Sequence, residues 1–546
     1  MKHTYIYILF ILLCVGCAQI TPLTGGKKDT EAPKLLKATP ANASLNFASK
    51  TIELQFDEYI TLKDVTNQFI ITPQTKNFPD IEARGKKVIV KFDEALLPNT
   101  TYKLSFGNSI IDLRESNNLP NFEYVFSTGS TIDSLKLKGR VLNSTDLKPA
   151  AQILIGLYPE TSEDSIVYKD KPLYLIRTDE QGQFSFGYLP DKSFRIAGIK
   201  DQNKNLVYDG SEEQIASPYK IVNPRDSGTI DMMLFKEAPY KSFIKKQVAG
   251  SEYGKAYVVY NKPQLSIKDV KAKGLVMYNQ NKTRDTLNLY YRNTYDTLET
   301  FISYATEKID TLYIRIPSQT LRSGRESNVK NQRYTFNSRI ESTFPYFGML
   351  AFNLNFPIEP GNISPEKILL IAKGDTSRAV AVPYKLVTDK TQGPVTSFTL
   401  QTELLPETNY TLSFLDSAFV DAPQRFNDST GYKFRTTTPD DYAQLSLKLL
   451  FPKKENYLVT LQNEKGQTID ERIVELSLTS TAEKILDYKN LLPGKYFVRV
   501  VEDANKNGQF DTGDYFKHKQ PEIIFINNSP IKLLAGWEIE SEWLIN

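Results

Sequence analysis

The chain has 546 residues, and its 67 Lys and Arg nearly balance 64 Asp and Glu, giving a net charge of +3; with no long basic cluster, the electrostatic footprint of a nucleic-acid binder is missing. Hydrophobic residues at 40% and charged ones at 24% are ordinary for folded protein and exclude general disorder. Of two Cys and two His, all but His518 lie within the first 17 residues, so the rest of the chain lacks the residues for a disulfide framework, His/Cys zinc sites and most Ser/His/Asp arrangements, leaving carboxylate, Ser/Lys or Tyr chemistry for any catalysis.

The N-terminus carries Lys2, an apolar run from Tyr5 to Val15, and then Val15-Gly16-Cys17. That order is the layout of a secretory signal peptide with a lipid-attachment site, and the run is too short for a transmembrane helix, which needs about 20 residues. It resembles the bacterial lipoprotein signal, in which cleavage before a diacylated cysteine makes that cysteine the new N-terminus; Cys14 stands where the family usually has Leu. The resemblance implies residues 1–16 as signal peptide and Cys17 as the lipidated residue, carrying diacylglycerol and an acyl chain such as palmitate. His518 then becomes the one histidine of the mature chain. Residues 17–31, with Thr24-Gly25-Gly26 and Lys27-Lys28-Asp29, form a polar tether that looks like those of Bacteroidetes lipoproteins.

Abundant Tyr (31) and Phe (30), with Pro (29) and Gly (27) throughout, predict many short strands joined by turns. Ile52, Leu54 and Phe56 alternate with polar residues, as do Val88, Val90 and Phe92, which is strand periodicity with one apolar face. Leu97-Pro98-Asn99-Thr100-Thr101-Tyr102 follows, with Asp112 beyond it and Phe126-Ser127-Thr128-Gly129 closing the unit. The spacing resembles the tyrosine corner of immunoglobulin-like sandwiches. Residues 32–130 look like the bacterial Ig-like domain of surface-layer and cell-envelope proteins. The pattern returns: Phe352, Leu354 and Phe356 alternate, Leu405-Pro406-Glu407-Thr408-Asn409-Tyr410 repeats the corner, and Asp421 and Phe434 follow, predicting a second copy over 341–438.

After each Ig-like copy comes another shared pattern. Gly139, Asp179-Glu180-Gln181-Gly182, Leu189-Pro190 and Asp201-Gln202-Asn203 in the first, and Leu492-Pro493-Gly494-Lys495-Tyr496 with Asp503-Ala504-Asn505 in the second, resemble the prealbumin-like sandwich named carboxypeptidase-regulatory-like. The name implies no peptidase. These modules are placed at 131–236 and 439–546. Residues 237–340, with Tyr257, Val259, Leu287, Leu289, Leu312 and Ile314 at strand spacing, read as a further β-sandwich spacer of no assigned family.

The best site candidates are the loops ending these two modules. Asp503, Asn505 and Asn507, followed by Gly508, Asp511 and Asp514, have the oxygen-ligand spacing of an EF-hand loop; Asp201, Asn203, Asn205, Asp209 and Glu212 lie at the same offsets. Leu206 stands where that pattern has glycine, Asp514 where it has a bidentate glutamate, and the flanks read as strands. Calcium bound here would be weak, with a dissociation constant of about 10⁻⁴ to 10⁻³ M. The alternative is a turn whose Asn and Asp face water. A recurring Asp-(Ser/Thr)-aliphatic triplet, as at Asp164, Asp285, Asp296 and Asp310, resembles the O-glycosylation acceptor of Bacteroidetes envelope proteins, or is an Asp turn entering a strand.

The fold class expected is therefore all-β, a tandem array of sandwiches behind a lipoprotein signal. The function expected is a non-catalytic, lipid-anchored scaffold or binding and adhesion array at the outer membrane, its face left open, with envelope proteins or glycans as partners and no nucleic acid. The alternative is a glycan-binding or glycan-active surface protein, with Trp537 and Trp543 stacking on sugar rings.

Overall fold

A computed structural model describes residues 29–545 except 227, 251–253, 293–296, 317–332, 374–378, 391, 423 and 477–481. The signal peptide, Cys17, nearly all of the tether, and Asp296 lie outside the described residues. Among the described residues the structure is built of strands, with only single turns of helix such as Val65–Gln68 and Ile166–Lys169, and no helix is long and apolar enough to cross a membrane. The chain divides into two compact units, one reaching Asn143 and resuming over Lys148–Leu234, the other comprising Ser144–Leu147 and Phe235–Asn546.

The first unit opens with a sandwich. One sheet orders Leu35–Thr39, Thr51–Phe56, Lys87–Lys91 and Asp80–Arg84; the facing sheet orders Ile70–Thr72, Thr101–Ser105 and Glu123–Ser127. Alternation decides which face is buried, and register sets Ile52 opposite Val90 and Leu54 opposite Val88, all four at 1% exposure or less. They meet Tyr102, Leu104, Phe106 and Phe126 from the other sheet in one core, the two-layer packing that a half-apolar strand set requires.

The second sandwich of this unit has a three-stranded sheet, Gln183–Leu189, Leu135–Asn143 and Thr229–Leu234, whose last pairing is parallel. It faces a sheet ordered Tyr174–Arg177, Leu154–Pro159 and Phe194–Ile199, with Ile215–Ala216 and Ile221–Val222 both pairing to the last of these. The two sandwiches are joined by Gln74 N–H donating to the Leu173 carbonyl at 2.7 Å and by Asp133 N–H donating to Thr101 Oγ1 at 2.9 Å.

Among its described residues the second unit holds three sandwich cores and a small further cluster of Leu458, Val501 and Ile524. Residues 244–316 form a sandwich of a four-stranded and a three-stranded sheet around Val258, Leu287, Leu289 and Ile302. The next sandwich pairs Leu350–Ile358 with Val395–Gln401, and Asn409–Phe414 with Thr430–Thr436. It also takes in Phe336–Ser338, bonded to Leu350–Ile358, and Tyr334 within its core, both of which the sequence placed in the spacer. Three residues are too few to display alternation, so nothing in the sequence marked them.

The final sandwich repeats the second one strand for strand. Ala443–Leu450 lies between Glu483–Leu491 and a parallel Glu538–Leu544. Across the core, Asn456–Asn463 lies between Thr468–Glu475 and Gly494–Glu502, and the latter pairs with both Ile524–Ile526 and Ile531–Leu533.

Candidate functional site

The duplication extends to single hydrogen bonds. Leu97 N–H donates to the Tyr102 hydroxyl at 2.9 Å, and Leu405 N–H donates to the Tyr410 hydroxyl at 2.8 Å. Tyr102 stacks on Phe126 at 5.4 Å and 13°, Tyr410 on Phe434 at 5.3 Å and 14°. Both are tyrosine corners that fix how the chain enters its strand.

The two candidate cation loops share one geometry. In the first, Asn205 and Leu206 N–H donate to the Asp201 carboxylate at 3.2 and 3.1 Å, and the Asn203 and Asn205 amides donate to Asp209 Oδ2 at 2.5 and 2.9 Å. In the second, Asn507 and Gly508 N–H donate to Asp503 at 3.0 and 2.8 Å, and the amides of Asn505 and Asn507 donate to Asp511 Oδ2. The backbone agrees even where the sequence departs from the glycine pattern: Leu206 has φ +67° and Gly508 +70°, so Leu206 accepts the left-handed conformation that glycine takes freely.

Each loop is closed by a carboxylate that loop spacing does not reveal. Glu213, 3% exposed, accepts Gln202 N–H at 2.9 Å and Asp209 N–H at 3.2 Å. Glu522 accepts Ala504 N–H at 3.1 Å and Asp511 N–H at 2.9 Å. Burial, with the charges of Asp511 and Asp503, holds the Glu522 carboxyl above its ordinary value. The signal is topological: each glutamate stands two residues before the strand, Ile215–Ala216 or Ile524–Ile526, that pairs with the strand ahead of the loop.

Two expected ligands are placed otherwise. Glu212 is exposed while its neighbour Glu213 turns inward. Asp514 accepts the Tyr240 hydroxyl at 2.6 Å and Lys517 Nζ at 2.8 Å; burial raises its pKa, but these partners outweigh burial and hold it below the ordinary carboxylate range. Among the described residues no three His, Cys, Asp or Glu side chains group as metal ligands. As they stand the loops satisfy themselves, since backbone N–H groups take Asp201, Asp503 and the glutamates while the Asn amides take Asp209 and Asp511. The donor set suits a hard cation only once both amides turn their oxygens inward.

The tryptophans differ: Trp537 is half exposed, whereas Trp543 packs on the last core. At Asp285 the Asp-Thr-aliphatic triplet forms a turn, with Thr286 Oγ1 and the Asn281 amide donating to its carboxylate at 2.9 and 2.7 Å.

Residues 29–128 match the family described as the bacterial Ig-like domain. No curated protein matches the sequence. Among solved structures the chain is similar to the major pilin subunit of Bacillus cereus, at 9% identity over 76% of this chain and 99% of that one, with a TM-score of 0.14. It is also similar to SGBP-B of a Bacteroides ovatus mixed-linkage glucan utilization locus, at 9% identity over 64% and 86% with a TM-score of 0.17. A third is the S-layer protein rSbsC, at 11% identity over 92% and 68% with a TM-score of 0.15.

Proposed function

We propose that this chain is a non-catalytic, lipid-anchored protein of the bacterial outer membrane, of the Bacteroidetes type, whose β-sandwiches space, scaffold or bind envelope components. One observation carries the reading: a tyrosine-corner sandwich followed by a second kind of sandwich is built twice, with the same corner bonds and a shared order of core strands, around interiors filled by packed aromatic and aliphatic side chains. Repetition of filled sandwiches makes length and surface, which is what an array uses. Cys17 supplies the anchor in this reading. The paired loops serve as weak calcium sites that stiffen each module. Glycan binding is the second reading, and a polar cleft in the first unit favours it.

Protease treatment of intact cells, comparing wild type with Cys17→Ala, tests the proposal. Cleavage in whole cells would place the array on the outer surface; protection until the outer membrane is opened would place it in the periplasm. Membrane fractionation of Cys17→Ala like the wild type would defeat the anchor.

A further inference from the structure

The junction of the first two sandwiches encloses a cleft of about 750 Å³, within the range of small-ligand sites, about 300–1,000 Å³. Its lining includes the buried apolar side chains Phe186 and Leu175. Its walls are polar. Asn67, Gln68, Asn108 and Asn121 line it from the Ig-like side, and Gln152 and Gln202 from the other. Primary amides offer a donor and an acceptor side by side, the pairing that vicinal hydroxyls answer.

Four cations also line the cleft: Lys103, Arg177, Lys200 and Lys204. Among the described residues only Lys103 is neutralised, by Glu123 at 2.7 Å. The other lining carboxylate, Asp201, is turned to the backbone N–H groups of its own loop. Lys204 Nζ donates to Asn67 Oδ1 at 2.8 Å, reaching from one wall to the other, and Arg177 meets only the Gln152 carbonyl at 3.5 Å. Among the described residues, Arg177, Lys200 and Lys204 have no carboxylate at ion-pair distance. Positive charge gathered in a concave, low-dielectric site raises the local concentration of anions. The wall bearing Gln202 and Lys204 is held in place, since buried Glu213 accepts Gln202 N–H.

Amides for hydroxyls, unpaired cations for acid groups, and no exposed ring in the lining on which a nucleobase would stack select one ligand class. We propose that this cleft binds an anionic oligosaccharide, its acid groups on Arg177, Lys200 and Lys204 and its hydroxyls on the amides. This deepens the binding side of the array reading and rests on it. The test uses purified full-length protein, so its failure is separate from failure of the anchor, which only localisation reports.

Calorimetric titration would compare trigalacturonate, a sulfated and a phosphorylated oligosaccharide, neutral maltotriose, a short oligothymidylate and phosphatidylglycerol vesicles. At least one acidic saccharide is expected to bind, with affinity falling as salt rises, and to bind about tenfold or more tighter than maltotriose. Lys200→Gln with Lys204→Gln should weaken it by about tenfold or more; both side chains are exposed, so loss of the Lys204–Asn67 bond should move the melting curve only slightly. Arg177→Gln serves as an independent second variant. Equal binding of neutral and acidic sugars, unchanged binding in both variants, no binding of any acidic sugar, or variant-sensitive binding only of the oligonucleotide or the vesicles would each overturn the proposal.

Discussion

After the corner strand, both tyrosine-corner sandwiches bury an aspartate, and they accommodate it in different ways. Asp112, 1% exposed, accepts the N–H groups of Arg114, Glu115, Ser116 and Asn117. Burial raises its pKa, but the four bonds outweigh burial and hold it below the ordinary value of 3.8. Asp421, fully buried, accepts Arg425 N–H at 2.7 Å and Arg425 Nε at 2.6 Å, and Arg425 lies over the Phe356 ring at 5.2 Å. Here burial prevails over the arginine and holds the carboxyl above 3.8. One copy stabilises its charge with the N–H groups of its own turn; the other sets its carboxyl against an arginine four residues on, which does not offset burial. An aspartate at a repeated position therefore identifies the module without identifying its electrostatics.

Breaking that pair gives the largest expected effect. Asp421→Ala removes the carboxylate that faces the buried guanidinium of Arg425, 7% exposed, at a cost of about 3–5 kcal/mol. Asp112→Ala leaves four N–H groups near solvent and should cost about 1–3 kcal/mol. In a chain of several cores a single unfolding energy is ill defined, so amide exchange at Leu412 and at Leu104 is the measurement. Acid should separate the copies further. The contribution of Asp112 is present above its unfolded value and is lost as pH falls through 3.8 toward the depressed folded value. For Asp421 the sign reverses, and its contribution grows as pH falls from the raised folded value toward 3.8. In the wild type, protection should decline with acid first at Leu104, and Asp421→Ala should erase the acid-favoured component at Leu412.

The sandwiches that follow the two corner sandwiches offer a second contrast, in packing. Gly139 lies opposite Phe184 and Ile230, and Leu447, at the matching register beyond the shared bulge, lies opposite Leu486 and Ser541. A Cβ on Gly139 would meet the Ile230 carbonyl oxygen at 2.2 Å and the Phe184 ring at 2.5 Å. Gly139→Ala is expected to cost about 1–3 kcal/mol through overpacking, read as lost exchange protection at Val141. Phe184→Leu should restore part of it if the ring is the obstacle; no rescue would assign the clash to the Ile230 backbone alone.

The corners should sharpen the likeness instead of the difference. Tyr102→Phe and Tyr410→Phe each remove one hydroxyl acceptor and keep the stacked ring, so each should cost about 0.5–1.5 kcal/mol. Unequal losses at Phe126 and Phe434 would mean that the two corners are not energetically equivalent despite their shared geometry.

Much of the fold was legible because strand alternation and turn chemistry are local. Ile52, Leu54 and Phe56 announce a buried face, and Pro98 to Tyr102 announces a corner whose bond forms within five residues. The all-β class follows from many such stretches. The sites were legible only where spacing is fixed. Asp201, Asn203, Asn205 and Asp209 stood out at alternate positions, but Glu213 follows Asp209 closely whereas Glu522 follows Asp511 after a longer excursion through Asp514 and His518. No spacing rule covers both; the shared feature is the next strand. The cleft was invisible for the same reason, since Asn67 and Lys204 come from separate sandwiches and meet only through packing.

The smallest predicted effect asks what the two closed loops are for. A cation entering either loop must displace the two amide bonds to Asp209 or to Asp511, so affinity is expected to be weak, with a dissociation constant of about 10⁻⁴ to 10⁻³ M. At about 1 mM calcium, binding to the folded state alone would add about 0.4–1.4 kcal/mol per loop. The gain should appear as slower exchange at Ile199 and Val501, the strands leading into the loops, and magnesium should not reproduce it. Asp209→Asn and Asp511→Asn should each abolish the response of its own module and leave the other intact. If calcium slows neither module, the loops are turns closed by their own amides, and Glu213 and Glu522 are there to seat backbone N–H groups. If it slows only the second, the glycine at Gly508 is what matters, because Leu206 holds the same φ at a strain that Gly508 does not carry.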